Sequence, residues 1–433
     1  MPVRLDFAAA EFEERFQAYL DMGRGESEEV DTIVAEIIGR VVAEGDDALI
    51  RYTAEFDRLI LAPQQLRIGA DEIGIAKASC CPDIVAAIDL AASRIEAFHG
   101  HQRPTGYAYE DGLGNRLGLR WTAVAAAGLY VPGGLAAYPS SVLMNAIPAK
   151  IAGVPRLVMV VPTPDGVLNP AVLVAADRAG VDEIYRIGGA QAVAALAYGT
   201  ATIRPVDVIV GPGNAFVAAA KRMVFGRVGI DSIAGPSEIL VVSDGQSNPD
   251  WIAIDLLSQA EHDRGARSIL VTDDPAFADK VFEAVQRELT RLPRADIAGA
   301  SWRDHGAIIT VPSLDEAPAL VDRIAPEHLE LAVADPAVLA ERVRNAGAIF
   351  LGRHTPEAVG DYVAGPNHVL PTSGAARYAS GLGVLDFMKR TTMIRCESRG
   401  LAAIGPAACI LARAEGLEAH ARSVSVRLGP GTS

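Results

Sequence analysis

The stretch Leu157-Val-Met-Val-Val161, followed by Pro-Thr-Pro, decides the fold because it is one of several short apolar runs that stop at proline or glycine. Residues 123–131 are followed by Pro-Gly-Gly, and residues 208–210 by Gly-Pro-Gly-Asn. Ala-rich segments of helical length separate these runs, at residues 140–152, 170–179 and 190–198. Strands that alternate with helices of this length predict a parallel, doubly wound sheet.

A second set of apolar runs predicts a second sheet. Ile239-Leu-Val-Val242 and Ser268-Ile-Leu-Val-Thr272 flank one helix, and residues 308–311 and 348–351 continue the pattern. We therefore expect an α/β protein with two stacked, doubly wound, incomplete Rossmann-like domains that meet near residue 235, plus small helical segments at both ends. The expected boundaries are 1–25 for the N-terminal helical segment, 26–129 with 239–381 for the first α/β domain, 130–238 for the second, and 382–433 for the C-terminal tail.

The composition limits the partners and the location. The 433 residues are 50% apolar and 21% charged, so a sizeable buried core is expected. A formal net charge of −15 makes nucleic acids and anionic membranes poor partners. The longest apolar run is shorter than the roughly 20 residues of a membrane helix, and no export signal follows Met1. The four cysteines lack C-x-x-C spacing, so we expect reduced thiols in a cytoplasmic protein.

Candidate metal ligands lie in short polar segments. Asn248-Pro predicts a helix start, and Gln259 and His262 would then project from one face of that helix. Imidazole is a sound ligand for a borderline metal, and the Gln259 carbonyl is a weaker, neutral one. Taken alone, the pair is more often a solvated helix face. Asp361 offers a further ligand, although its Gly-Asp-Tyr setting alone favours a turn.

Two Glu-His pairs are the other polar features. Glu327 and His328 follow Pro326, which resembles a helix first turn, where the dipole would favour an ionised carboxylate and a neutral imidazole. Those are the forms that a general base needs near neutral pH, but ordinary helix-end solvation explains the pair equally well. Glu415 and His420 are five residues apart and converge only if the helix breaks between them, at Gly416. Otherwise His420 is an exposed tail residue.

The Gly211-Pro-Gly-Asn214 turn lies between a predicted strand and a predicted helix, so it could cradle an anion at the helix N-terminus. Such a turn is also a common connection between a strand and a helix. No G-x-G-x-x-G fingerprint follows any strand, so composition and spacing do not by themselves indicate a dinucleotide.

Eight motifs in a fixed order make the sequence specific. They are Gly128-Leu-Tyr-Val-Pro-Gly-Gly134, Gly188-Gly-Ala-Gln-Ala192, Gly211-Pro-Gly-Asn-Ala215, Ala234-Gly-Pro-Ser-Glu238, Gln259-Ala-Glu-His262, Ala325-Pro-Glu-His-Leu-Glu330, Asn367-His-Val-Leu-Pro-Thr372 and Glu415-Gly-Leu-Glu-Ala-His420. From about residue 25 to the C-terminus, the chain resembles the histidinol dehydrogenase family in these motifs.

The resemblance implies an NAD- and zinc-dependent, four-electron oxidation of L-histidinol through L-histidinal to L-histidine, the last step of histidine biosynthesis. The implied ligands of one zinc ion per subunit are Gln259, His262, Asp361 and His420. The implied NAD contacts are Tyr130, Gln191 and Asn214. The implied substrate contacts are Ser237, His328 and Glu415 together with the four zinc ligands. The resemblance also implies a homodimer in which the tail of one subunit brings Glu415 and His420 to the site of its partner.

For the chemistry, we expect His328 to take the hydroxyl proton of the alcohol and Glu327 to activate water for the aldehyde step. No cysteine lies in the motifs, so no thiohemiacetal is expected. Three alternatives remain open: a metal-dependent hydrolase, a metal-binding subunit without activity, and a related dehydrogenase of another small alcohol or diol. Tight NAD binding would argue against the hydrolase.

Overall fold

The structure, a computed structural model, describes residues 1–22, 28–133, 138–233 and 235–428. Gly134 and Ala234 of the motifs, and the expected boundary between residues 25 and 26, lie outside these ranges. The strands of the described residues are β1 (Val3–Asp6), β2 (Tyr107–Glu110), β3 (Arg116–Ala123), β4 (Ala127–Tyr130), β5 (Leu157–Val160), β6 (Glu183–Tyr185), β7 (Val208–Val210), β8 (Gly229–Ile230), β9 (Glu238–Ser243), β10 (Arg267–Thr272), β11 (Ala307–Thr310), β12 (His328–Ala332), β13 (Ala348–Leu351) and β14 (Met388–Arg395).

The α-helices of the same ranges connect and cover these strands. They are α1 (Phe12–Asp21), α2 (Glu28–Glu44), α3 (Asp46–Phe56), α4 (Ala70–Ser79), α5 (Pro82–Gly100), α6 (Pro139–Ala152), α7 (Pro170–Arg178), α8 (Gly189–Tyr198), α9 (Ala215–Val224), α10 (Pro249–Ala260), α11 (Pro275–Leu289), α12 (Ala295–His305), α13 (Ala317–Ile324), α14 (Pro336–Ala340), α15 (Glu357–Tyr362), α16 (Ser398–Ala414) and α17 (Glu418–Ser425). Each is short enough or polar enough that none could cross a membrane within the described ranges.

A six-stranded, all-parallel sheet has the order β1-β11-β10-β9-β12-β13. Alternate residues of its strands enter two cores: Leu240 and Val242 pack with α1 and α13, whereas Ile239 and Val241 pack with α10, α11 and α12. This is the expected doubly wound arrangement. The N-terminal segment contains the expected helix α1 and also the edge strand β1, which the sequence does not predict.

A five-stranded, all-parallel sheet has the order β6-β5-β4-β7-β8. On β5, Leu157 and Met159 face a core formed with α4 to α7, while Val158 and Val160 face a core formed with α2, α3, α8 and α9. The early helices at residues 28–100 therefore cover this sheet. From the sequence we group residues 26–129 with 239–381, so this packing differs from that grouping, and the division into domains stays a proposal.

A third, antiparallel sheet joins the tail to the body. Strand β14 pairs with β3 along its whole length, from Met388 opposite Ala123 to Arg395 opposite Arg116, and β3 also pairs with β2. The sequence predicts a helical tail, and α16 and α17 form one after this strand. The strand therefore connects the tail helices to β3.

Candidate active site

The Gly-Pro-Gly turn lies where the winding of the five-stranded sheet changes direction. Strands β5 and β6 lie on one side of β4, and β7 and β8 lie on the other. The winding of the sheet therefore reverses at β4. Tyr130 ends β4, and Gly211 to Asn214 follow β7. A crevice outside the carboxyl ends of two such strands is where open α/β sheets bind ligands.

Buried contacts hold Gly211 in place. Its φ of +114° suits glycine, and a β-carbon there would collide with the carbonyl oxygen of Tyr130. Lys221 Nζ donates a hydrogen bond to the Gly211 carbonyl at 2.9 Å, and Asp231 accepts one from the Gly211 amide at 2.8 Å. Lys221 and Asp231 also form a buried ion pair with each other. The turn is therefore clamped through its backbone on both sides.

The three expected NAD contacts lie along this edge. The Tyr130 hydroxyl accepts a hydrogen bond from the Gly189 amide at 3.0 Å, and burial raises the pKa of Tyr130 to about 12. Gln191 is buried with no hydrogen-bond partner for its Oε1. Asn214 caps α9 by accepting from the Val217 amide at 3.2 Å. The Gln191 oxygen is thus a buried polar atom that is left for a ligand.

The expectation that Glu327 and His328 occupy a helix first turn is wrong. His328 is the first residue of β12, in register with Ile239 of β9 and Ala348 of β13. The winding of the six-stranded sheet reverses between β9 and β12. The pair therefore lies at the amino ends of the two strands that form this switch point. A strand contributes little dipole, and the charge state of the pair must come from its neighbours.

Backbone atoms of Glu238 orient both side chains. Glu327 Oε2 accepts from the Glu238 amide at 2.9 Å, and His328 Nδ1 lies 3.0 Å from the Glu238 carbonyl. A carbonyl only accepts, so Nδ1 carries the proton and Nε2 faces the site, where it has no hydrogen-bond partner. Ser237 directly precedes Glu238, which brings the expected substrate contact next to the pair.

Neighbouring carboxylates set the charge of His328. Its Nε2 lies 3.6 Å from Glu357 Oε1 and 3.7 Å from Asp361 Oδ1, and its Nδ1 lies 3.7 Å from Glu327 Oε2. Burial lowers the pKa of His328, but Glu327, Asp361 and Glu357 outweigh it and raise that pKa to about 10. Burial raises the pKa of Glu327 to about 7. In the protein alone, His328 is thus protonated rather than neutral as expected.

Gln259 and His262 lie at the end of α10 that faces the same edge. Asn248 caps this helix through the Asp250 amide, as predicted, but the helix ends at Ala260. His262 is therefore in the turn beyond the helix and not on its face. His262 is exposed on one side, but the protein atoms packed around it lower its pKa by burial. Asp361 raises that pKa, so these two groups are close enough to interact.

Asp361 lies in α15 rather than in a turn, beside two residues to which the sequence assigns no role. Ligand atoms of His328, Glu357 and Asp361 lie within 4.8 Å of one another. His368 places Nδ1 2.9 Å from the Asp361 carbonyl and Nε2 3.3 Å from Ser141 Oγ. Burial alone raises the pKa of Asp361, yet His328 and His368 lower it to about 2. His368 belongs to a quoted motif, whereas Glu357 resembles any acid in a helix first turn.

The residues at this edge fit a divalent cation. Gln259 is buried, and its Oε1 has no hydrogen-bond partner, which is costly unless something else binds it. The nearby Asp361 stays ionised, and His262 is held towards its neutral form, the two states that metal ligands need. The sets Gln259–His262–Asp361 and His328–Glu357–Asp361 share Asp361, and only the first leaves His328 available as a base.

Glu415 and His420 do not reach this edge within one chain. The helix breaks between them, as predicted: α16 ends at Ala414, Gly416 has a φ of +76°, and α17 begins at Glu418. Both side chains are exposed. Among the described residues, no hydrogen bond or ion pair connects either of them to Gln259, His262, His328 or Asp361.

Comparisons with known proteins show the family of the chain. The family model for histidinol dehydrogenase matches residues 21–428. Relatives include histidinol dehydrogenases of Rhodospirillum rubrum, 66% identical over the whole of both chains, and of Ruegeria pomeroyi, 63% identical over 99% of each. The solved histidinol dehydrogenase of Elizabethkingia anophelis is 36% identical and superposes with a TM-score of 0.93 over 99% of this chain and 98% of its own. The chain therefore belongs to the histidinol dehydrogenase family.

Proposed function

We propose that the protein oxidises L-histidinol to L-histidine through L-histidinal, with two molecules of NAD, at the edge formed by β9, β12, α10 and α15. The family supports the reaction. The observation that carries the residue roles is the buried Glu327–His328 pair, whose Nε2 is directed at the side chain of Asp361. An alcohol oxidation followed by an aldehyde oxidation needs two proton acceptors, and this pair supplies both.

In the first oxidation, His328 Nε2 takes the hydroxyl proton while the alcohol carbon gives up a hydride to NAD. The hydrogen bond from Nδ1 to the Glu238 carbonyl holds the ring in the tautomer that this requires. General base catalysis of this kind contributes about 10²–10⁴-fold. The products are the aldehyde, NADH and one proton.

In the second oxidation, Glu327 takes a proton from water as the water adds to the aldehyde. The resulting hydrate anion loses a hydride to the second NAD and a proton to His328, which leaves the carboxylate. A pKa near 7 lets Glu327 accept and release this proton at neutral pH. The hydrogen bond from the Glu238 amide to Glu327 fixes the direction of the carboxylate.

We assign Gln259, His262 and Asp361, with His420 of a second subunit, as the zinc ligands. The buried, unpartnered oxygen of Gln259 supports this set. When bound, zinc would coordinate the imidazole and amine nitrogens of the substrate and offset the negative charge that keeps His328 protonated. Ser237 and Glu415 complete the substrate contacts in this proposal.

We assign Tyr130, Gln191 and Asn214 to NAD. Their position at the carboxyl end of the β4–β7 switch point supports this, as does the unpartnered oxygen of Gln191. The clamped turn after β7 exposes backbone close to the N-terminus of α9, where a pyrophosphate is favoured.

We also propose a homodimer with shared sites, located in the cytoplasm. The exposed Glu415 and His420, which do not contact the site of their own chain, support sharing. Apolar side chains of the tail helices, such as Ile410 and Leu411, are exposed, which supports the burial of this surface by a second subunit. The four unpaired cysteines are compatible with a reducing compartment.

Counting reduced cofactor tests the reaction. The purified protein is incubated with excess NAD and a limiting amount of L-histidinol, and the NADH formed per substrate consumed is measured. We expect two NADH and recovered histidine. One NADH would restrict the protein to alcohol oxidation and contradict the role of Glu327. None would favour another alcohol or a hydrolase.

Mixed dimers test the shared site. We expect His328→Asn and His420→Asn each to be inactive alone, but a mixed dimer would contain one site with neither change. Random mixing should therefore restore about a quarter of the wild-type activity, since half of the dimers are mixed and half of their sites are intact. No recovery would mean that His420 serves its own chain.

A further inference from the structure

Glu330 is the last residue of a quoted motif, and neither the proposed site nor the proposed mechanism uses it. It lies on β12, two residues after His328, so both side chains leave the same face of the strand. It is 3% exposed. A buried carboxyl group at such a position is costly unless its oxygens are hydrogen-bonded.

The first contact of Glu330 is with α15. Its Oε1 accepts a hydrogen bond from the backbone amide of Glu357 at 2.5 Å. Glu357 is the first residue of α15, whose amide has no partner within the helix. The contact therefore fixes the start of the helix that carries Glu357 and Asp361 to the strand that carries His328.

The second contact of Glu330 is with α10. Its carboxyl group is close enough to that of Asp255, which lies one helical turn before Gln259, for the two groups to interact. Burial raises the pKa of both carboxyl groups, that of Asp255 to about 6, so the two groups lie in the same buried region between β12 and α10.

Glu330 thus connects three elements that each contribute to the proposed site. Helix α10 brings Gln259, β12 brings His328 and α15 brings Asp361. Ser258 of α10 adds a weaker link, because its Oγ lies 3.3 Å from Glu357 Oε2. Groups that orient a ligand set in this way typically affect metal affinity about 10–100-fold when they are removed.

We propose that Glu330 is a positioning residue that holds α10 and α15 against β12, and thereby sets the geometry of the metal ligands around His328. It does so by accepting a hydrogen bond from the Glu357 amide and by placing its carboxyl group beside that of Asp255. The inference rests on the site proposed above.

Two substitutions separate hydrogen bonding from charge and volume. Glu330→Gln keeps an acceptor oxygen and an N–H donor, whereas Glu330→Leu removes both at a similar volume. We expect Glu330→Gln to keep kcat within about threefold, and Glu330→Leu to lose about 10–100-fold in zinc affinity, measured by chelator competition, with a matching loss of kcat. KM for NAD should not change in either variant.

The matched control is Glu183→Leu, since Glu183 has a partly buried carboxyl group on β6 of the other sheet. It should lower the thermal midpoint while leaving zinc affinity unchanged. The proposal is overturned if Glu330→Leu binds zinc as tightly as Glu183→Leu, or if Glu330→Gln is as defective as Glu330→Leu.

If Glu330→Leu does not fold, Asp255→Ala tests the same link from α10, and unchanged zinc affinity in that variant overturns the proposal. The wild-type protein is measured in parallel. A wild type that oxidises histidinol without zinc would refute the proposed site itself, whereas a normal wild type beside an unaffected Glu330→Leu refutes only the role of Glu330.

Discussion

The two parallel sheets use opposite ends for their candidate sites. In the five-stranded sheet, Tyr130 and the Gly211 turn lie at the carboxyl ends of β4 and β7. In the six-stranded sheet, Ser237 and the Glu327–His328 pair lie at the amino ends of β9 and β12. Helix α10 runs back between parallel strands, so its C-terminus, with Gln259, reaches that same amino end. The rule that open α/β sheets bind ligands at the carboxyl ends of their strands therefore predicts only the expected NAD site.

The pKa values of carboxyl groups that are wholly or partly buried also differ between the two regions. Glu183 on β6 is paired with Arg156 at 2.7 Å and with Arg204, and Arg156 above all lowers its pKa to about 2. Burial raises the pKa of Glu327 to about 7 and that of Glu357 to about 8. Arginine side chains offset the charge of Glu183 in the first region, whereas burial disfavours the charged forms of Glu327 and Glu357 in the second. This contrast separates a structural ion pair from a site.

The largest effect should come from the Glu327–His328 pair. His328→Asn should lower kcat for both oxidations by about 10³-fold, because it removes the base that both steps need. Glu327→Gln should lower histidinal oxidation to a similar extent and spare the alcohol step. Stopped-flow measurement of NADH formed from histidinol and from histidinal separates the two steps.

Equal losses at both steps in Glu327→Gln would contradict this division of roles. Glu72→Gln is a suitable control, since Glu72 is an exposed carboxylate on α4, paired with Arg186.

The next effect should be on metal binding. Asp361→Asn keeps the shape of the side chain but removes the charge shared by both candidate ligand sets, so zinc affinity should fall by at least about 100-fold. Affinity for NAD should stay the same, because the cofactor edge is on the other sheet. Chelator competition and titration with NAD measure the two affinities. Normal zinc affinity would exclude Asp361 as a ligand.

A substitution at the proposed NAD site should change the KM for NAD and leave zinc affinity unchanged. Lys221→Met leaves Asp231 buried without its cation and frees the Gly211 carbonyl, so we expect KM for NAD to rise about tenfold and stability to fall by about 3 kcal/mol. Zinc affinity should not change. Steady-state kinetics and urea unfolding provide both values.

Lys77→Met is the matched control, because Lys77 forms an exposed ion pair with Asp177 that should contribute little. An unchanged KM for NAD in Lys221→Met would mean that the clamp on the turn is only structural.

The smallest effect concerns Glu183 and pH. Its folded-state pKa of about 2 lies below the unfolded value of 4.5, so its stabilising contribution is present above pH 4.5 and is lost as pH falls towards 2. Discounted for solvent screening, it is about 1–2 kcal/mol. Unfolding of wild type and Glu183→Gln should therefore differ at pH 6 and converge near pH 2. A constant difference would show that the pair does not titrate as described.

Much of the fold could be predicted from local pattern. The expected helical segments at residues 140–152 and 190–198 lie within α6 and α8, Asn248 caps α10, and Gly416 breaks the tail helix, because period, capping and glycine conformation act over a few residues. Strands β1 and β14 could not be predicted in this way. β1 exists because it pairs with β11, about 300 residues away in the sequence, and no local pattern reports such a partner.

Residues of the candidate site could be proposed from the sequence, but their environment could not. Pro326 suggests a helix, yet His328 begins a strand because it pairs with β9 and β13 on both sides. Glu357 and His368 become site residues only because folding brings them to Asp361 and His328. Their local sequences resemble those of ordinary helix and loop residues.

The sequence by itself determined the alternation of strands and helices, the chemical types of the ligands and their order along the chain, since these depend on neighbouring residues. Only the tertiary structure decided which end of each sheet carries its candidate site and how the site groups are charged. Glu238 orients Glu327 from 89 residues away, and carboxylates on other elements raise the pKa of His328. Convergence and protonation depend on distances through space, which spacing along a chain does not record.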